Sequence, residues 1–341
     1  MRPVTLKEIA KELEISVATV SKALKGYPDV NPKTRKKVEA LAKALNYSPN
    51  TAAINLRKQH TKTIGVIIPA VVHYFFSSVI DAIIKIADER GYLVILLQSD
   101  ESFELEEKQV NLLLSKGIDG LIISLSNHTR TYTHLKKLRD FDVPFVQMDK
   151  ISKIVESSKV IIDDRKAAYE AVEYLIKKGH KRIAHFRAGL TPQNSIDRYL
   201  GYKMALEDHN ILFDKSLVYI CDNNKDFEDG QINAEKLIND HGNSVDAIFA
   251  VSDLVAIGAM HYLKNNNINV PNDIAVIGFS NWFMSSVISP QLSTVNQDGS
   301  KIGEAAINLL FEEINNKKEG HPRLNKTVVI DTHLIIREST G

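Results

Sequence analysis

The chain has a single cysteine, Cys221, among its 341 residues, so no intrachain disulfide can form, and the Cys/His spacings of zinc sites are missing as well. A reducing compartment fits that usage. Long apolar runs are also missing. Ile64 to Val72 is too short to span a bilayer, and Met1 to Ala10 carries Lys7 and Glu8 where an export signal would begin its apolar stretch. Export and membrane insertion are therefore not expected, and a cytoplasmic location is. The signatures of catalysis are lacking too: there is no G-x-S-x-G elbow, no glycine-rich phosphate loop of standard spacing and no H-E-x-x-H. The 11 histidines are scattered, and His180 and His185, which bracket Lys181-Arg182-Ile183-Ala184, read as structural rather than as general bases. An enzyme is not expected, nor is any cofactor.

What is present is the balance of a globular protein, 44% hydrophobic and 25% charged, over a length that calls for two or three compact units. A net charge of +1 conceals an asymmetry. Residues 1–62 hold 13 Lys and Arg against 5 Asp and Glu, a charge of +8, and the remainder holds 30 against 37, a charge of −7. A basic head on an acidic body suggests that only the head meets a polyanion, although charge alone serves a solvated surface equally well.

Patterning in the head decides between those two. Thr5-Leu6-Lys7-Glu8 forms a capping box that opens a helix with Leu6, Ile9, Ala10 and Leu13 on one stripe. A second helix starts almost at once, with Ser16 as N-cap and Val20, Ala23 and Leu24 turned inward. That leaves Val17, Ala18, Ser21, Lys22 and Lys25 outward. Asn31-Pro32 caps a third helix with Val38, Leu41, Ala42 and Leu45 on its stripe, ending at Asn46. A helix, a tight turn and a small-residue helix make a helix-turn-helix, whose second member enters the major groove. The segment Pro49 to Arg57 has a cap and a helical pattern over barely two turns, marginal alone in water. It reads either as a plain linker or as a helix that wedges Leu56 into a minor groove, with Arg57 and Lys58 on phosphates.

These residues resemble the LacI/GalR family of bacterial regulators. Val4 to Ala10 followed by Ile15 to Leu24 is similar to the family's head. Asn46-Tyr47-Ser48-Pro49-Asn50, Ala53 and Leu56-Arg57, then Thr63 to Pro69, are similar to its hinge helix and first body strand, and Ile335 to Thr340 to its last strand. The resemblance implies a helix-turn-helix domain at 1–48, a hinge helix and linker at 49–60, and a two-lobed ligand-binding and dimerisation domain at 61–341. The lobes would run about 61–161 with 293–322, and about 162–292 with 323–341. It implies a homodimer reading a pseudo-palindromic operator, most simply as a repressor. Val17, Ala18 and Lys22 would face bases, Thr5, Ser16, Thr19, Ser21, Asn31, Thr34, Tyr47 and Asn50 would serve phosphates, Leu56 would be the minor-groove wedge, and Leu6, Ala53 and Arg57 would also bind DNA. Glu14 stands where the family usually has glycine, so the turn must accept an uncomfortable backbone. Lys22 stands for the commoner arginine, replacing bidentate recognition of guanine with one flexible donor group.

In the body, short apolar strands alternate with amphipathic helices: Ile64–Ile68, Leu93–Leu97, Gly120–Ile123, Phe145–Gln147, Ile183–Phe186, Ala247–Val251 and Ala275–Phe279. That order predicts doubly wound parallel sheets, better housed in two α/β lobes than in one, with ligand beyond the C-terminal strand ends. The resemblance likewise implies a periplasmic-binding-protein-like body whose chain crosses between lobes three times. Read at strand ends, the effector-binding candidates are Tyr74, Phe75, Phe76, Asp149, Arg198, Ser252, Asp253, Ser280, Asn281 and Trp282, a set suited to a sugar or sugar derivative. Phe75 and Phe76 also read as core, and Asp253 first as the N-cap of a helix. For Asp149 and Arg198 the resemblance implies contact with ligand hydroxyls, whereas Ser280-Asn281 departs from the paired carboxylates of many sugar-responsive members. A solute-binding protein that delivers a sugar to a transporter would use the same body, but not the added head.

Overall fold

The computed structural model describes residues 4–47, 60–71, 74–221 and 225–341, with the side chains of Tyr74 and Asn243 left aside. The chain divides into two compact units at Thr61/Lys62.

The first unit is built from α1 (Leu6–Glu12), α2 (Val17–Leu24) and α3 (Pro32–Ala44). Thr5 makes the expected capping box with Glu8, Ser16 caps α2 by accepting from Thr19 N, and Asn31 caps α3 ahead of Pro32. Ile9, Ala10, Val20, Ala23, Val30, Val38 and Ala42 close a single small core. Between α1 and α2 the backbone turns at Glu14 with φ +52°, a left-handed residue at a helix C-terminus that glycine usually fills. A side chain with a Cβ costs roughly 1–2 kcal/mol there.

The second unit holds two six-stranded sheets. The first, in order β11-β5-β4-β3-β1-β2, comprises β1 (Thr63–Ile68), β2 (Leu93–Gln98), β3 (Gly120–Ile123), β4 (Phe145–Met148), β5 (Ser158–Ile162) and β11 (Thr327–Ile330). The second, in order β12-β10-β9-β8-β6-β7, comprises β6 (Ile183–Ala188), β7 (Val218–Cys221), β8 (Ala247–Ala250), β9 (Ala275–Phe279), β10 (Ser293–Asn296) and β12 (His333–Ile335). All pairings are parallel except that of β12 on β10. The intervening helices are α4 (Tyr74–Glu89), α5 (Phe103–Ser115), α6 (Thr133–Asp140), α7 (Asp164–Lys177), α8 (Gln193–Asp208), α9 (Asp226–His241), α10 (Asp253–Asn265) and α11 (Gly299–Lys318).

Alternate residues of the strands serve different cores, as sheets covered on both faces require. Ile64, Val66 and Ile68 enter a core that continues through Ala247, Phe249 and Ile277 of the other lobe, while Ile67 joins a core of the first lobe alone and Ile248 one of the second alone. One of the three body cores thus runs through both lobes, and each lobe also has a core of its own.

Three expectations need correction. The crossings between lobes fall later than the expected boundaries of 292/293 and 322/323: β10 pairs with β9 in the second lobe, and β11 pairs with β5 in the first. The segment resembling a last strand ends at Ile335, and Glu338–Thr340 is a short 3-10 turn, tied to the lobe by Ser339 and Thr340 hydroxyls. Strands β5, β7, β10 and β11 are absent from the expected strands because they lack a long apolar run; β7 and β11 lie at sheet edges, where Ile220 of β7 and Thr327 and Val329 of β11 are exposed.

Candidate DNA interface and ligand cleft

In the head, Val20 and Ala23 of α2 point into the core, which leaves Val17 (40% exposed), Ala18 and Lys22 on the open face. Thr19 and Ser21 are half-buried beside them, and the Ser16 and Thr19 hydroxyls share a hydrogen bond of 2.8 Å. Thr34 is half-buried on α3, and exposed Asn31 accepts from Lys33 N at 2.8 Å. Leu6 and Tyr47 pack against the head core, so each side chain is partly taken up by packing. Asn50, Ala53, Leu56 and Arg57 lie outside the described residues.

The body's cleft is a cavity of about 260 Å³ at the C-terminal strand ends of both lobes. The turns after β2, β4 and β9 bring Glu101 (φ +57°), Asp149 (φ +55°) and Ser280 (φ +107°) to its wall in left-handed conformations, which side chains with a Cβ adopt at a cost. Of the ten expected residues, Phe75, Phe76, Asp149, Arg198, Ser252, Asp253, Ser280 and Trp282 line it. Asn281 does not: it donates from its backbone to Thr294 and from its amide to Asn296, and receives Arg337 at 2.9 Å. Tyr74 belongs to the side chains left undescribed.

Arg198 is 6% exposed. Its Nε donates to Asp164 at 2.7 Å, its Nη1 donates to the Val251 carbonyl at 2.9 Å, and the guanidinium lies 3.7 Å from the Phe279 ring centre. Burial pushes the Asp164 carboxyl up to about 6, against the lowering influence of Arg198 and with a raising one from Asp149. Asp149 bridges the lobes: its Oδ1 accepts from Asn194 of α8 at 3.2 Å and from Gln297 at 3.3 Å. The cap of α10 is Ser252, not Asp253. Asp253 sits inside the first turn, where Oδ2 takes Trp282 N at 2.6 Å and Ser285 Oγ at 2.7 Å, and Oδ1 takes Thr294 Oγ1 at 2.5 Å. A carboxylate so fully used anchors the wall that carries Trp282.

Sequence reading missed Glu101, Asn127, Lys150, Asn194, Ser195, Asp226 and Gln297 of the lining. Asn194 and Ser195 stand four and three residues before Arg198 on the same helix, a spacing that places them on its face and was legible. Gln297 follows a strand too polar to recognise. Glu101 and Lys150, joined at 2.5 Å, carried no pattern at all. His185 is fully buried, hydrogen-bonded through Nδ1 to the Phe249 carbonyl at 3.0 Å and stacked on that ring; burial pushes its pKa down to about 4, so it is neutral and structural.

A helix-turn-helix head and a two-lobed body with a polar cleft at its strand ends define the class of DNA-binding transcription regulators that respond to a small ligand. Residues 5–50 match the family described as bacterial regulatory proteins, lacI family, and residues 61–337 match the periplasmic binding proteins and sugar binding domain of the LacI family. The chain belongs to the LacI family. It is 36% identical over 313 residues to catabolite control protein A of Priestia megaterium, covering 92% of this chain and 93% of that protein. It is 30% identical to the HTH-type transcriptional repressor PurR of Vibrio atlanticus, covering 96% and 99%. Among solved structures, the lac repressor dimer bound to operator and the anti-inducer ONPF superposes with a TM-score of 0.86 at 25% identity, covering 99% of each chain. The CelR–cellobiose complex gives 0.74 at 27%, covering 99% of this chain and 100% of that one. The family consists of DNA-binding transcription regulators rather than enzymes.

Proposed function

We propose that the chain is a cytoplasmic repressor that binds a pseudo-palindromic operator as a homodimer, and that an uncharged, hydroxylated ligand of sugar size in the cleft alters its operator affinity. The observation that carries the ligand reading is the lining itself. Among the described residues Ser195 Oγ is buried there with no partner, the Arg198 hydrogen bonds run through Nε and Nη1 and none through Nη2, and Trp282, Phe75 and Phe76 offer apolar faces. Operator binding by the relatives' lac repressor, and cellobiose by CelR, are in line with it.

The charge of the wall narrows the ligand. Glu101, Asp149, Asp226 and Asp253 outnumber Lys150 and Arg198, and both cations already hold carboxylates, Glu101 and Asp164. A phosphate would meet four acidic groups and two cations whose charges are already paired. In a thermal-shift series with free mono- and disaccharides beside their phosphate esters, the neutral compound of the matching pair is expected to bind at least about tenfold more tightly, since like-charge contacts cost several kcal/mol. A phosphate ester that binds better than its parent sugar would refute this ligand class.

For the head we propose that Val17, Ala18 and Lys22 meet base edges, with Thr5, Ser16, Thr19, Ser21, Asn31, Thr34, Tyr47 and Asn50 on the backbone, Leu56 as the minor-groove wedge, and Leu6, Ala53 and Arg57 as further DNA contacts. Lys22→Ala is expected to cost about 1–3 kcal/mol on operator and little on random DNA. Equal loss on both, read by fluorescence anisotropy, would mean that the lysine only touches phosphate. Removal of residues 1–60 should abolish DNA binding and leave the ligand shift intact; a truncated body that still retards DNA would sink the assignment.

A further inference from the structure

Lys22 is not free on the open face of α2. Its Nζ lies 2.5 Å from Asp29 Oδ2, and the two side chains are 50% and 53% exposed. We propose that Asp29 is a positioning residue that determines specificity: it holds the Lys22 ammonium at one place on the reading face, where it serves a base acceptor and is kept from roaming to phosphates. The inference rests on the reading of Lys22 as a base-contacting side chain.

A lone lysine is a poor reader. Its charge sits on a flexible four-carbon stem, and one ammonium reaches phosphate as readily as a guanine edge. Here the stem is tied to a carboxylate whose own loop is fixed. Tyr27 N donates to the Lys22 carbonyl at 3.1 Å, Val30 N donates to the Tyr27 carbonyl at 3.3 Å, and Arg35 Nη2 donates to that carbonyl at 2.5 Å. Val30 is 7% exposed in the head core, which locks the next residue along from Asp29. The position of Oδ2 is thus set by the fold, and the ammonium is set by Oδ2. An ammonium has three donors, so the pair leaves two for a base. Each partner also keeps the other ionised: their hydrogen bond raises the Lys22 pKa and lowers that of Asp29. As a contribution to stability, such an exposed pair counts for little. Its effect lies in what the lysine can reach. The carboxylate also repels any phosphate that approaches the ammonium from its side, which is discrimination by a repulsive element.

The test uses the full chain, a random-sequence duplex and an operator selected from a random pool with the unmodified protein, measured by anisotropy between about 50 and 200 mM salt. Asp29→Asn is expected to tighten binding to random duplex several-fold and to lower the operator-to-random ratio at least threefold. One extra phosphate contact per head steepens the salt slope by about 0.9, so the gain on random DNA should be about 3.5-fold larger at the low-salt end for each head engaged. Both residues are exposed, and unchanged circular dichroism and melting would show that folding is intact. In a Lys22→Gln background the same Asp29→Asn change should give no gain. A gain that persists without the lysine would mean plain repulsion between Asp29 and DNA and would overturn the proposal, as would an unchanged operator-to-random ratio. Lys22→Gln alone, if it left that ratio unaltered, would instead remove the reading of Lys22 on which the inference rests.

Discussion

Arg198→Met should lose the ligand response and about 3–5 kcal/mol of stability together, because it leaves the Asp164 carboxylate buried without its partner. The arginine reaches Asp164, the Val251 carbonyl and the Phe279 ring at once, so it connects the starts of α7 and α8 with the ends of β8 and β9. The pH dependence separates the cause from simple loss of packing. Asp164 already sits at about 6 because burial outweighs the arginine, and removing the arginine moves it higher. A carboxyl whose folded pKa exceeds its unfolded value near 3.9 binds protons more tightly when folded, so the stability it confers is present below that unfolded value and is lost as pH rises through the folded pKa. The deficit of the variant relative to the parent chain is therefore expected to be largest above about pH 7 and to narrow near pH 5. Replacing both partners, Arg198→Met with Asp164→Leu, should restore most of the melting temperature without restoring the ligand shift, since an apolar pair of similar volume does not carry the desolvation cost of the ions. A deficit independent of pH, or a double variant that still responds to ligand, would contradict this account.

The second large effect is expected from one methyl group. A Cβ on Gly230 of α9 would stand 2.1 Å from the Val255 carbonyl oxygen and 2.9 Å from Ala259 N, that is, on the two ends of one helical hydrogen bond of α10. The approach is reciprocal, for a Cβ on Gly258 of α10 would stand 2.1 Å from the Phe227 carbonyl. Backbone cannot yield as a side-chain tip can, so Gly230→Ala must push the helices apart. Overpacking of this kind costs about 1–3 kcal/mol, and the upper end is expected here because the obstacle is main chain, outweighing the fraction of a kcal/mol to 1 kcal/mol that alanine gains over glycine in a helix. The consequence reaches the cleft. Asp226 begins α9 and Ser252 caps α10, and their side chains meet at 3.2 Å on the cavity wall. Separation of the helices should therefore weaken ligand binding beyond what partial unfolding explains. Denaturant melts give the first quantity, and calorimetry at a temperature where the variant is fully folded gives the second. A variant as stable as its parent would show that the helix pair has room the distances deny.

Much of this protein was legible in its sequence. The head needed only local rules: Thr5, Ser16 and Asn31 are caps whose side chains bond within three residues, and the stripes of Val20, Ala23 and Val38 follow from helical period. The strained turn at Glu14 and the alternation of strands and helices were visible for the same reason, since backbone preference and hydrophobic period are written in neighbouring residues. Tertiary structure decided the rest. Whether Asp253 caps a helix or anchors the Trp282 wall, which lobe receives β10 and β11, and that Glu101 pairs with Lys150 across 49 residues all depend on groups far apart in the chain meeting in one place. Charged and polar side chains have no periodicity by which to find such partners. Their pairing is fixed only when sheets close and burial makes an unpaired charge too costly to keep.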